Sequence, residues 1–235
     1  MMVEIFQKIS YIISYLFSNN INEIKLFKNN LSTKEITIVD IGSNQGFYYK
    51  KIIKNLKPKK ATIYSVEPNK KLLKKQKLNK YNLIKLPFAI SDTNKKQYFF
   101  ERKSSSHSSL IDVNYLDKFK NDKYIKYFVE CKTLIELFND HNIKNVDVLK
   151  IDIEGFEEKI INDVQHILKF CNINFIKIEI LFRNDKNKFD DNNWVKILKT
   201  LSKCNFYLIG MTNIKYEKNN LFFFDAVFQN KLFRA

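Results

Sequence analysis

Asp40 closes a run of β-branched residues, and Gly42 and Gly46 follow it within "VDIGSNQG", two of the chain's four glycines. Glu67 comes 27 residues after Asp40, at the end of a second such run, "ATIYSVEP". Asp152 and Glu154 end a third, "NVDVLKIDIEG", and Glu179 lies in a fourth, "NFIKIEI". A carboxylate can accept two ribose hydroxyls at once, so an acid some way beyond a glycine loop points to a bound nucleoside. The loop is G-x-x-x-G, not the G-x-G-x-x-G that cradles a pyrophosphate. The acid before it would repel phosphates and suits a ligand bearing an amine and a sulfonium. Those features select S-adenosylmethionine over a dinucleotide. The glycines are expected to let the backbone approach that ligand without an intervening Cβ.

Each residue alone has a plainer reading. Asp40 and Asp152 could be turn or capping carboxylates, Gly42 and Gly46 turn formers, and Glu67 a solvated strand end. Lys150 and Glu179 could pair at a sheet edge, while His107, His141 and His166 read as surface residues. As a set at successive strand ends, the acids and glycines point to one crevice.

The elements that must position them alternate. Ile36–Ile41 reads as a strand, Gly46–Leu56 as a helix, "ATIYSVEP" as a strand, and Asn69 caps a helix running to Lys80. "NLIKLPFAI" reads as a third strand. After an irregular stretch the rhythm resumes with "NVDVLKID", a helix bearing Phe156, Ile160, Val164, Ile167 and Leu168 on one face, and "NFIKIEI". A helix with Trp194, Ile197, Leu198 and Leu201 facing inward follows, and "NFYLIG" with "LFFFDAVF" forms a closing hairpin. Alternation of this kind implies right-handed crossovers and a parallel α/β sheet, which binds ligands at the carboxyl ends of its strands.

At 235 residues the chain has room for one sizeable core. Its net charge of +16 invites a polyanion partner, but lysines spread along helices with little arginine argue for a solvated face and against nucleic acid. Cys131, Cys171 and Cys204 lack metal spacing and fit a reducing cytoplasm. No apolar run is long enough for a membrane span. Near the N-terminus, Ile5, Ile9, Ile12 and Leu16 recur at helical spacing, which makes a homodimer through that helix plausible.

"VDIGSNQG", "VEPNKKLLKK", "AISD", "SSL", a "TL" opening a helix, "VDVLKIDIEGFE" and "IKIEI" together resemble the FkbM family of S-adenosylmethionine-dependent methyltransferases. Ser43 stands where that family usually has Ala, and the glycine that often follows "AISD" is missing. The resemblance implies a Rossmann-like class I methyltransferase fold, with a mostly parallel seven-stranded sheet and an antiparallel C-terminal strand. The methyltransferase domain would span 35–235, behind an N-terminal helical extension over 1–34. The resemblance also implies that Asp40, Gly42, Ser43, Asn44 and Gly46 line the methionine and sulfonium end, that Glu67 holds the ribose, and that Ser91 and Asp92 lie near the adenine. Asp152 and Glu154 would flank the transferred methyl, with Ser108, Ser109 and Glu179 toward the acceptor. Family members commonly methylate hydroxyls of sugars and other small natural products, so a small-molecule or glycan acceptor is implied. A carboxylate near the methyl could act as base, or could hold a divalent metal; the expectation is direct carboxylate assistance with no metal required. RNA 2′-O-methylation and a non-catalytic nucleotide-binding module are the competing readings. Acceptor specificity is expected in the irregular stretch Tyr98–Phe128 and the N-terminal helix.

Overall fold

A computed structural model describes residues 23–31, 33–112, 123–181, 193–217 and 220–232. The helix expected around Ile5–Leu16 lies outside these residues, as does the centre of the Tyr98–Phe128 stretch.

The elements run α1 (Glu23–Asn30), β1 (Glu35–Ile41), α2 (Phe47–Leu56), β2 (Lys60–Val66), α3 (Lys70–Lys75), β3 (Asn82–Leu86) and β4 (Ala89–Ile90). Then come β5 (Gln97–Arg102), a 3₁₀ turn at Ser105–His107, β6 (Tyr124–Val129), β7 (Cys131–Lys132) and α4 (Leu134–Asp140). The chain continues with β8 (Asn145–Ile151), α5 (Glu157–Ile167), β9 (Asn172–Leu181), α6 (Asn193–Lys203), β10 (Phe206–Glu217) and β11 (Asn220–Asn230). The main sheet has seven strands in the order β10-β11-β9-β8-β1-β2-β3. β3, β2, β1, β8 and β9 are parallel neighbours, and β11 is antiparallel to both β9 and β10.

Two sequence expectations need correction. The run "NLIKLPFAI" is not one strand, because Pro87 separates β3 from β4, and β4 pairs with β7 in a separate two-stranded sheet. The helix after Asn69 ends at Lys75, not Lys80, although Asn69 does cap it by accepting from the amides of Lys71 and Leu72. Gln76 then leaves the helix in an extended conformation and is wholly buried.

Side chains alternate between the faces of a strand, and here the two faces differ in kind. One face carries Val39, Ile41, Leu149, Ile151, Ile176 and Ile178, and is sealed by α4, α5 and α6 through Leu137, Phe138, Ile160, Val164, Ile197 and Leu201. Thr133 starts α4 with a reciprocal cap: its hydroxyl accepts from the Glu136 amide, and the Glu136 carboxylate accepts from the Thr133 amide. The other face is apolar only in its first half. There Ile36, Ile38, Val148, Phe175 and Val227 pack against Phe27 of α1 and Tyr49, Ile52 and Ile53 of α2. Phe27 meets Phe175 edge-on at 5.1 Å, so the described part of the N-terminal extension belongs to the core. Toward the carboxyl ends the same face turns charged: Asp40 on β1, Lys150 on β8, Lys177 and Glu179 on β9, and Asp225 on β11. Register sets these charges side by side, with Asp40 opposite Lys150, Lys150 opposite Lys177, and Asp225 opposite Glu179.

Candidate active site

The loop from β1 to α2 leaves the sheet with Gly42 at φ +71°, Asn44 at +51° and Gly46 at +74°. Its glycines have a different purpose from the one expected. A Cβ on Gly42 would stand 1.8 Å from the carbonyl oxygen of Asp152, and one on Gly46 would meet the Tyr49 ring at 2.3 Å. The protein's own chain fills both places. The Gly42 contact clamps the loop after β1 against the loop after β8, so the two strand ends that carry the site meet directly.

Gln76 secures the loop from the other side. Its amide donates to Ser43 Oγ (3.0 Å) and to the Asn44 carbonyl (2.7 Å), while its own carbonyl oxygen lies 2.6 Å from Ser65 Oγ. Glu67, buried at the end of β2, accepts from the Asn44 amide through Oε2 (2.9 Å) and from the Asn69 amide through Oε1 (2.8 Å). Each oxygen keeps lone-pair capacity for another donor. Burial pushes the Glu67 carboxyl up to about 7, against those two amides and the more distant Lys150.

The loops enclose a cavity of about 520 Å³. It is lined by Gly42–Gln45, Val66, Glu67 and Pro68, by the apolar Phe88, Ala89 and Ile90, and by Asp152–Glu154, Ser105, Ser108 and Ser109, with Ser105 Oγ 3.1 Å from the Asn44 side-chain amide. Its size, its apolar flank and a buried carboxylate with spare acceptor capacity fit a nucleoside with an attached amino-acid chain.

Lys150, which also lines the cavity, reaches Asp40 Oδ1 (3.3 Å), Asp152 Oδ2 (3.1 Å) and the Gly42 carbonyl (3.2 Å). Asp40 has no solvent exposure, and burial raises its carboxyl pKa despite Lys150. A second buried network continues along the sheet. Lys177 lies 3.0 Å from Glu23 and 2.9 Å from Asp225, and Glu23 also binds Lys51 at 2.6 Å. Burial pushes the Glu23 carboxyl up, but Lys177 and Lys51 outweigh it and hold the group below its ordinary value. Tyr48, over whose ring both Lys150 and Lys177 lie, lines the cavity between the two networks.

The turn after β8 is built by residues around it. Glu154 adopts φ +57°, uncommon for a side chain of its size. Glu157, buried at the start of α5, accepts from the Ile153 and Gly155 amides at 2.9 Å each. Ser109 Oγ lies 3.1 Å from the carbonyls of both Ile153 and Glu154. Burial, then repulsion from Asp152 and Glu157, raises the Glu154 carboxyl well above the ordinary carboxylate range.

Gly42, Ser43, Asn44, Glu67, Asp152, Glu154, Ser108 and Ser109 therefore line one cavity. The remaining predicted residues stand elsewhere. Asp40 lies under the loop against Lys150, because strand register places that ammonium directly opposite it. Gly46 forms the turn into α2. Ser91 is buried, its hydroxyl 3.0 Å from exposed Asp92, and neither reaches the lining; Phe88–Ile90 just before them do. Glu179 is also outside the lining, though its carboxylate comes close to those of Asp152 and Glu154. Sequence reading missed Gln76, Glu157 and Tyr48. The signal for Glu157 was available in "DIEGFEE", where an acid opens a helix just after the turn; Gln76 and Tyr48 gave none.

The strand order, the glycine loop after β1 and the carboxylate closing β2 define a class I methyltransferase fold, with the cavity at the carboxyl ends of the parallel strands. The Methyltransferase FkbM domain family matches residues 40–208, and the chain belongs to that family of S-adenosylmethionine-dependent methyltransferases. No curated protein matches it in sequence. Among solved structures it is similar to Aeropyrum pernix fibrillarin with natively bound S-adenosyl-L-methionine, at 14% identity, TM-score 0.44, over 83% of this chain and 68% of that one. It is also similar to a putative rRNA methylase from Clostridium thermocellum, at 10% identity, TM-score 0.49, over 88% and 94% of the two chains. A TehB-like methyltransferase from Corynebacterium glutamicum is similar at 10% identity and TM-score 0.42, over 97% of each. Likenesses this distant carry no weight for the acceptor. Among the described residues, no helix is long and apolar enough to cross a membrane.

Proposed function

We propose that this protein methylates a hydroxyl of a sugar or glycan. The observation that carries the reading is that Asp152 and Glu154 line the same cavity as the glycine loop and Glu67. S-adenosylmethionine supplies an electrophilic methyl: the carbon–oxygen bond forms as the carbon–sulfur bond breaks, and sulfur keeps the electron pair. Glu67 offers its free lone pairs to the two ribose hydroxyls, and Phe88–Ile90 cover the base. Gly42–Gln45 and Asp152 hold the amino-acid end. Asp152 and Glu154 hold the acceptor hydroxyl in line, and Glu154, whose carboxyl has a raised proton affinity, takes the proton. Ser105 and Ser108 add hydroxyls to the cavity lining, which suits a polyhydroxylated acceptor.

The test is methyl transfer from labelled donor to a panel of nucleotide sugars and short glycans. Label held in the acceptor as an alkali-stable ether supports the reading. Label that enters only RNA, or only an alkali-labile ester, overturns it.

A further inference from the structure

Asp152, Glu154 and Glu179 each offer a carboxylate oxygen, and the three atoms lie within 4.8 Å of one another. The first two come from the turn after β8 and the third from the end of β9, so tertiary structure alone assembles the group. That spread matches oxygens sharing one cation, since metal–oxygen distances of about 2.1 to 2.5 Å place opposite ligands about 4 to 5 Å apart.

A second observation singles out Glu179. Its Oε2 is withdrawn from solvent and accepts no hydrogen bond. A buried carboxylate oxygen without a donor is costly unless something positive meets it. The nearby buried lysines are committed: Lys150 to Asp40 and Asp152, and Lys177 to Glu23 and Asp225. Among the described residues, no lysine or arginine forms an ion pair with Glu154 or Glu179.

We propose that Asp152, Glu154 and Glu179 form a binding site for a hard divalent cation of the magnesium or manganese type, with open positions toward the cavity. All-oxygen, all-carboxylate ligation favours these ions over zinc or copper, which take nitrogen and sulfur. The inference replaces the expectation from sequence that carboxylates suffice, because Glu179 turns a pair into a triad. It rests on the methyl-transfer reading only in assigning an open position to the acceptor hydroxyl, whose acidity a cation would raise so that a carboxylate takes the proton more readily.

The test uses the full chain, treated with chelator and free of S-adenosylmethionine. Manganese is titrated in and followed by electron paramagnetic resonance. One manganese per chain is expected, with binding weakened by roughly tenfold or more in Glu179→Gln and in Glu154→Gln. Glu158→Gln, half-buried on α5 and paired with Lys196 away from the triad, is the control and should leave binding unchanged. No binding up to about 1 mM, or equal binding in wild type and both triad variants, overturns the proposal. Circular dichroism checks each variant's fold. S-adenosylmethionine titration by calorimetry, run separately, reports on the methyltransferase reading, so failure of one is distinguishable from failure of the other.

Discussion

Replacing Lys150 with methionine keeps the aliphatic stem and removes the charge, so it isolates what the ammonium contributes to the carboxylates beside it. Asp40 has no exposure and lies 3.3 Å from the ammonium; Asp152, at 3.1 Å, keeps 31% of its side chain exposed. At an effective dielectric constant of about 20, the attraction on Asp40 is about 5 kcal/mol. Asp152 can turn to water, so its share is far smaller. The cost of burying the ammonium offsets part of this gain, and removal of one partner of a buried pair destabilises by about 3–5 kcal/mol. Lys150→Met is therefore expected to lose about 3–5 kcal/mol at pH 8 in urea unfolding, seen as a lower midpoint at unchanged slope. The loss arises because Asp40 is left charged and alone, so adding Asp40→Asn should restore at least about half of it. Cofactor affinity should also fall, since the same ammonium binds the Gly42 carbonyl at 3.2 Å and holds the loop in shape. A Lys150→Met protein within about 1 kcal/mol of wild type would refute the reasoning. So would a double variant no more stable than the single one.

Gly42→Ala should be costly twice over. The new Cβ would lie 1.8 Å from the Asp152 carbonyl, and the φ of +71° adds about 1–2 kcal/mol for an L side chain, so the two loops must separate. Calorimetry should show cofactor binding weakened by roughly tenfold or more, with a lower thermal midpoint. The Glu67 carboxyl, raised to about 7 by burial against the Asn69 and Asn44 amides and Lys150, with Asp40 raising it further, is half ionised at neutral pH. Only the ionised form offers both oxygens as acceptors to ribose, so affinity should rise from pH 6 to pH 8. Binding should be roughly fivefold weaker at pH 6 than at pH 7, and Glu67→Gln should flatten the profile. A wild-type profile that is flat or falls with pH contradicts that assignment.

Local patterns carried much of the fold. The β-branched runs, the capping residues Asn69 and Thr133, and the helical spacing of Ile160, Val164 and Ile167 report structure set by neighbours within a few residues. Pro87 divides "NLIKLPFAI" because β4 finds its partner in β7, more than 40 residues away, and no local rule shows that.

The linear order of residues determined which strand ends carry acids and that a glycine turn follows the first. It therefore determined that a nucleoside site belongs at one rim of a parallel sheet. Tertiary structure decided what those residues face. Asp40 faces Lys150 because residues 110 positions apart meet in strand register, and Gly42 admits the Asp152 carbonyl for the same reason. Glu179 joins Asp152 and Glu154 only once β9 is laid beside β8. Electrostatic partners act through space, and a sequence specifies distances along the chain.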